Sequence, residues 1–371
     1  MPPPCLRPLL LCLAIALTSG ACAPTAAKAV AASGATVGVI ADAPFRIEVP
    51  AGWKGDLVVY LHGYEPQGTP REPELAQDDL DRWLLSKGYA VARSAYSSQG
   101  WAITEALADT ERLRQRVVAL HGAPRRTFLM GHSMGGHLAL ATLERHGEAY
   151  DGALALCGAN APADEMFGDG VLPPLVAFDH FFPGALGLAA GGLADPASPP
   201  MVDGEALETA LKANAPQAQA LAKRFQILRE DFAGALFIRY LVLRELTARA
   251  GGFPVDNRDV AYAGYGDDRA FNAAVRRYAG DPAAMAYTRA NAPLAGTATK
   301  PVVLLSNNDD PTVPADISAR YAALAAAAGN GGRVLMLPSQ GKGHCAFTPE
   351  QMGAGLEALT TWVSTGRKPA P

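Results

Sequence analysis

Residues Gly131-His132-Ser133-Met134-Gly135 spell G-x-S-x-G. They follow the apolar run Phe128-Leu129-Met130 and precede a helix-forming stretch that reaches about His146. In that context the serine is a nucleophile at the apex of a strained strand-to-helix turn, and side chains in place of Gly131 or Gly135 would collide across it. Small residues at Gly136, Ala139 and Ala141 let the helix lie close to a sheet, and its N-terminus points positive partial charge at a developing oxyanion. The same letters also describe an ordinary glycine-rich turn after a buried strand, so the chemistry needs partners elsewhere in the chain.

A serine needs a histidine base and an acid to orient it. Of the seven histidines, His132 abuts the serine and His137 lies on the helix after it, where neither is placed to act as base. His121 and His146 end helices and read as solvated, His62 belongs to "YLHGY", and His180 sits in a middle segment. His344, in the glycine-flanked loop "QGKGHCAF" after the last strand, is the expected base. For the acid, Asp309 and Asp310 end the segment "LLSNNDDPTVP". Pro311 fixes the turn after Asp310, which favours Asp310 as the acid and leaves Asp309 as a turn residue. The chain order Ser133, Asp310, His344 agrees with that assignment.

These residues need a scaffold that brings strand ends together. "DLVVYLHGY", "YAVARSAYSS", "RTFLM" and "GALALCG" read as short buried strands, and "EPELAQDDLDRWLLSKG" and "AITEALADTERLRQRVVALHG" as helices between them. Alternating strands and helices mean an α/β fold with a mostly parallel sheet covered on both faces. The rhythm stops at about Gly158, gives way to helical stretches over Gly204–Ile227 and Asp231–Ala250, and returns at "KPVVLLSNNDD". The last helix is opened by "TPEQ", where Thr348 caps and Gln351 completes a capping box. The expected organisation is a signal and leader over 1–29, a core in two parts over 30–157 and 301–371, and a largely helical insertion over 158–300.

A chain of 371 residues with 49% hydrophobic residues can bury a large core, and a net charge of −4 offers no basic field for nucleic acid. Arg7 followed by the apolar run Leu9–Leu17 reads as an export signal. It ends either at "SGAC", with lipid on Cys22 as a membrane tether, or near Ala27-Lys28-Ala29. Either way the expected location is outside the cytoplasm: periplasmic, outer-membrane lipoprotein or secreted. The Ala-rich tract to about Thr36 reads as a tether outside the fold. Of five cysteines only Cys157 and Cys345 fall in the folded body, and in an oxidising compartment they form either a disulfide or two buried thiols.

Taken together, the serine turn, the Ser-Asp-His order and the interrupted α/β rhythm resemble the α/β-hydrolase superfamily, specifically its secreted serine esterases and peptidase-like relatives. The resemblance covers the core on both sides of the insertion. It implies that His62-Gly63 begins the oxyanion loop and that the backbone N–H groups of Tyr64 and Met134 hold the oxyanion. It also implies that the insertion is a lid, whose Phe178, Phe181 and Phe182 line a substrate pocket or pack the lid's own core, with Tyr64 and Trp101 facing the same pocket. Asn307 departs from the glycine common in the acid loop of such enzymes. His344-Cys345 is similar to the tannase and feruloyl esterase group, where a disulfide ties the histidine loop to the residue before the serine; here that residue is His132, and Cys157 is the substitute anchor.

The function expected on this basis is hydrolysis of carboxylic esters of small molecules or polymers through an acyl-enzyme, with no metal or organic cofactor. Amide or peptide cleavage by the same triad is the alternative, and a non-catalytic binding protein on the same fold is the second. The arginines Arg229, Arg239, Arg244 and Arg249 read as solvated helix faces before they read as carboxylate ligands.

Overall fold

A computed structural model describes residues 34–72 and 74–371; the expected export signal and Cys22 lie outside the described residues. Among the described residues, eight strands form one sheet in the order β1-β2-β4-β3-β5-β6-β7-β8. They are β1 Gly34–Ile40, β2 Ala43–Val49, β3 Asp56–Leu61, β4 Ala90–Ser94, β5 Arg126–His132, β6 Gly152–Leu156, β7 Val302–Leu305 and β8 Val334–Met336. β1 and β2 run antiparallel at one edge, and every pairing from β4 to β8 is parallel. This is the α/β-hydrolase fold.

The hairpin at the edge changes one expectation, since Gly34–Thr36 belong to β1 rather than to a tether. Its two-residue turn places Ala41 and Asp42 at φ 47° and 65°. Hairpin turns of that hand normally advertise themselves with Asn-Gly or Asp-Gly, and here neither letter pair is present.

Alternation along the strands divides the core between the two faces. On β3, Leu57, Val59 and Leu61 point to the face covered by α2 (Ile103–His121) and α3 (Met134–His146), while Val58 points to the other. That second face is covered by α1 (Asp79–Ser86) and, at the C-terminus, by the helix Pro349–Thr365. Thr348 and Gln351 close the expected capping box on this last helix.

Between β6 and β7 the chain builds the insertion. A single turn, α4 (Ala163–Glu165), runs through a π-helical stretch at Met166–Val171 into α5 (Leu172–Phe181). Then follow α6 (Gly204–Ala213), α7 (Ala215–Arg224), α8 (Phe232–Ala250), α9 (Asp268–Ala274) and α10 (Pro282–Asn291). The single helix expected over Gly204–Ile227 is two, because Asn214 caps α7 through its side chain and Pro216 occupies the first turn. α8 buries Phe232, Leu236, Tyr240, Leu243 and Leu246, and is wrapped by the rest of the insertion and the core. After β7 come α11 (Ala315–Ala327) and then α12, the Pro349–Thr365 helix. Among the described residues no helix is long and apolar enough to cross a membrane.

Candidate active site

β5 ends at His132 and α3 begins at Met134, so Ser133 alone makes the turn, with φ 56° and ψ −121°. A Cβ on Gly131 would lie 2.0 Å from the Gly135 carbonyl oxygen, and one on Gly135 would lie 2.0 Å from that of Leu61. Only glycine fits either place, which gives the pattern around the serine its physical reason. The strain at Ser133 is held by the flanking strand and helix.

The histidine loop arrives from the far end of the chain. His344 Nε2 lies 2.9 Å from Ser133 Oγ, and its Nδ1 lies 2.8 Å from Asp310 Oδ2 and 3.0 Å from Oδ1. Asp310 Oδ1 also accepts the backbone N–H groups of Thr312 and Val313, each at 2.9 Å. A buried carboxylate so placed keeps the imidazole proton on Nδ1 and leaves Nε2 to accept from the serine hydroxyl. Asp309 is exposed in the left-handed region at φ 48°, as a turn residue would be, and it is Asp310 that meets the histidine.

Two devices hold the loop that carries the base, one tying it to the acid loop and the other to the end of β6. Asn307, buried at the position where the resemblance implies a glycine, donates from Nδ2 to the Gln340 carbonyl at 2.9 Å. Asn308 N–H donates to Gly341 O and Gly343 N–H to Asn308 O. The second device is a disulfide between Cys157, directly after β6, and Cys345, with Cα atoms 5.3 Å apart. Cys345 Sγ lies 3.4 Å from His344 Nε2. The two sulfurs and His344 are close enough together to suggest a metal site, but the sulfurs are bonded to each other and supply no thiolate.

The bond closes 188 residues, which the chain-entropy treatment values at up to about 5 kcal/mol. Cys345→Ser is expected to lower turnover about tenfold at temperatures where circular dichroism still shows the native fold, because the loop bearing His344 loosens first. Turnover and unfolding that change in parallel would show the bond to be a general staple.

Gly63 packs directly on the serine, where a Cβ would come within 3.2 Å of Ser133 Cβ. Its successor Tyr64 borders the same cavity. Met134, as the first residue of α3, has an N–H with no partner inside its own helix. Both residues whose amides are expected to hold an oxyanion therefore line the cavity with Ser133. Sequence reasoning missed what holds the first of them. Glu245 on α8 accepts a short hydrogen bond from Tyr64 O–H and one of 2.7 Å from the Trp101 backbone N–H. A Cβ on Gly100 would overlap this carboxylate. Burial raises the pKa of Glu245, and burial together with this hydrogen bond raises that of Tyr64. Arg249, one turn further along α8, pairs with Glu105 and donates to the Gln99 carbonyl.

The cavity over Ser133 and His344 measures about 530 Å³. Trp101 lines it as expected, with Met166 and Val171 from the π-helical stretch and Ile238 and Val242 from α8. Gly234, Ile238, Val242, Glu245 and Arg249 lie three or four residues apart, so one stripe of α8 faces first the cavity and then the Tyr64 loop. The three phenylalanines do not line it, which corrects the expectation. Phe178 is fully buried and stacks on Phe182 at 4.9 Å, and Phe181 stacks on Phe271 at 5.6 Å. α5 turns these rings toward α8 and α9, and they form the core of the insertion. The arginines also depart from solvated faces. Arg244 donates to four backbone carbonyls over residues 193–198, Arg229 pairs with Glu208, and Arg239 is buried at the cavity wall.

The remaining histidines have other surroundings. His62 stacks on Tyr96 with ring centroids 4.1 Å apart, His180 packs on Phe181 and Phe271, His146 is exposed, and His121 is half-buried rather than solvated. His137 is fully buried with Nδ1 3.0 Å from the Ala159 carbonyl, and burial pushes its pKa down to about 4. Burial does the same to His132, helped by the neighbouring His344. The unfolded chain protonates such groups near 6.5 while the fold holds them neutral, so stability is intact above that pH and drains as pH falls toward 4. His137 alone would cost about 3 kcal/mol at pH 4. Urea denaturation at pH 7, 5.5 and 4 checks this, and His137→Gln should flatten the loss.

Residues 89–197 match the esterase family described as "Putative esterase". Solved structures similar to this chain include a thermostable carboxyl esterase from Bacillus coagulans, at 12% identity over 89% of this chain and 96% of that one, with a TM-score of 0.43. Est1E from Butyrivibrio proteoclasticus is 14% identical over 90% of this chain and all of the other, with a TM-score of 0.45. The acylaminoacyl peptidase of Pyrococcus horikoshii is 12% identical over 90% of this chain but only 41% of its own, with a TM-score of 0.46. No curated protein matches. By its sheet order and serine turn the chain is an α/β-hydrolase. Within that fold, residues 89–197 carry the segment that is similar to the esterase family.

Proposed function

We propose that the protein is an exported serine esterase that cleaves carboxylic esters through an acyl-enzyme. The observation that carries this reading is the unbroken chain of hydrogen bonds from Asp310 through His344 to Ser133, opening into an apolar cavity. Ser133 Oγ attacks the ester carbonyl while His344 Nε2 takes its proton, and the oxyanion lies against the N–H groups of Tyr64 and Met134. His344 then gives the proton to the departing alcohol. Water, activated by the same nitrogen, releases the acid and restores the serine.

The cavity volume suits an acyl or aryl group of small-molecule size. The segment 158–300 acts as a lid in that it supplies the cavity's outer wall, through the π-helical stretch and α8. Export agrees with the N-terminal apolar run and with a disulfide beside the active site, a bond that persists outside the reducing cytoplasm. Lipid attachment at Cys22 would tether the enzyme to a membrane; metabolic labelling with a fatty acid, lost in Cys22→Ser, tests it.

A panel of p-nitrophenyl esters run beside peptide p-nitroanilides tests the reaction itself. Ester hydrolysis with saturable kinetics is expected; cleavage of anilides with no ester turned over would replace the esterase by a peptidase. The same panel tests the role of Glu245. Glu245→Ala should lower kcat about tenfold with KM little changed, because alanine accepts from neither Tyr64 nor Trp101 and the oxyanion amide drifts. Equal changes in both constants would make Glu245 a packing residue.

A further inference from the structure

Among the described residues that line the cavity over Ser133, Arg239 is the one charged side chain apart from the histidines. It is 4% exposed and comes from α8, on the side of the acid loop. Its Nε donates to the Gly170 carbonyl at 3.1 Å, and its Nη1 donates to the carbonyls of Ala235 at 2.9 Å and Pro311 at 2.8 Å. All three partners are neutral. No carboxylate of the described residues lies within ion-pair distance of the guanidinium. The nearest negative group that acts on it is Asp310, whose oxygens are already taken by His344 and the amides of Thr312 and Val313.

The second terminal nitrogen, Nη2, donates to no atom of the described residues. Nor is it sealed off, unlike the orphaned Trp101 Nε1 and Arg249 Nε, which are shut away from any accessible space. Arg239 thus holds itself in place with three hydrogen bonds and leaves one nitrogen open. The residue stands where the cavity over the serine abuts a second one of about 910 Å³, with Gly170, Pro314 and Ile317 common to both. Burial pushes its pKa down to about 10, which still leaves it cationic at neutral pH. An unpaired cation beside an apolar wall is costly, and an anion that reaches it recovers a charge-assisted hydrogen bond in surroundings of low dielectric.

Resting on the esterase reading of this cavity, we propose that Arg239 is a recognition site for a carboxylate on the substrate, so that the enzyme selects esters that carry one further negative charge. One guanidinium with one open nitrogen matches a single carboxylate. A dianion would set its second charge against Asp310. The π-helical stretch contributes by presenting the Gly170 carbonyl that fixes Nε. The loop carrying Pro311 couples the same arginine to the acid.

Two arms of paired esters separate the places from which the carboxylate could come. One arm compares p-nitrophenyl hydrogen adipate with its methyl-capped diester, which puts the charge on the acyl side. The other compares 4-carboxyphenyl butyrate with its methyl ester, which puts it on the alcohol side. In one arm the wild-type enzyme should favour the charged member at least tenfold in kcat/KM, a preference that shrinks as salt rises. Arg239→Met should collapse that ratio to about one, and Arg239→Lys should keep part of it. Equal rates within both wild-type pairs, or an Arg239→Met enzyme that is slower with both members at an unchanged ratio, would overturn the proposal. Calorimetric titration of monomethyl adipate, which carries a single carboxylate, into Ser133→Ala needs no turnover. Binding that disappears on adding Arg239→Met supports the site even if no ester is hydrolysed, and no binding to Ser133→Ala overturns it even if esters are.

Discussion

Ser133→Ala leaves a folded protein whose turnover of p-nitrophenyl butyrate falls by about a million-fold, to the level left by binding and oxyanion donors alone. The magnitude follows from the geometry around the serine. His344 Nε2 at 2.9 Å is aimed at one hydroxyl, and no other hydroxyl of the described residues is hydrogen-bonded to it. Without Oγ there is no atom for the carbonyl carbon to bond, so the acyl-enzyme cannot form. The substitution removes only an oxygen from a residue whose backbone, at φ 56°, is fixed by strand and helix, so thermal unfolding should move little. Residual activity above about a thousandth of wild type would identify a different nucleophile.

Asp310→Asn is expected to cut kcat by about 10⁴-fold, and Asp309→Asn by less than tenfold. An amide at 310 can present its N–H₂ to His344 Nδ1, which moves the imidazole proton to Nε2 and turns the base into a donor against the serine. The cost is therefore one of tautomer and of lost imidazolium stabilisation, with the loop left in place. Part of the loop's own support does depend on this side chain, because Oδ1 also accepts from Thr312 and Val313. Asp310→Ala should accordingly lose stability as well as rate, and the comparison with Asn separates the two. Asp309 faces solvent and serves the turn through its backbone, so its charge matters little. The reverse ranking would move the acid by one residue.

How far the sequence discloses this site depends on the range over which each signal acts. The turn at Ser133 is written in adjacent letters, since strand, glycines and helix follow one another and the clash that demands glycine is local. Asp310 and Asp309 can be told apart for the same reason, through the proline next to one of them. The parallel sheet shows in the alternation of apolar runs. The edge hairpin does not, because Ala41-Asp42 makes its turn without the usual residues.

Long-range orientation is where reading fails. Phe178, Phe181 and Phe182 look alike as pocket residues or core, and only the docking of α5 on α8 and α9 turns them inward. α8 is apolar on almost every side, so its spacing does not reveal which stripe will meet the cavity. Glu245 is illegible on that account, and Arg239 stands in the sequence only as one of four arginines that read first as solvated helix faces. Asn307 is a milder case: it stands out as a departure from glycine, and its reason appears only when the histidine loop, over thirty residues away in sequence, is brought beside it.

The central claim, that Ser133 is a nucleophile activated by His344 and Asp310, is tested most directly by mass spectrometry of the intact protein after exposure to a fluorophosphonate, followed by peptide mapping. The account predicts one adduct per chain, located on Ser133, formed slowly in Asp310→Asn and absent in Ser133→Ala. A folded wild-type protein that takes up no phosphonate, or takes it up at a residue other than Ser133, would contradict it.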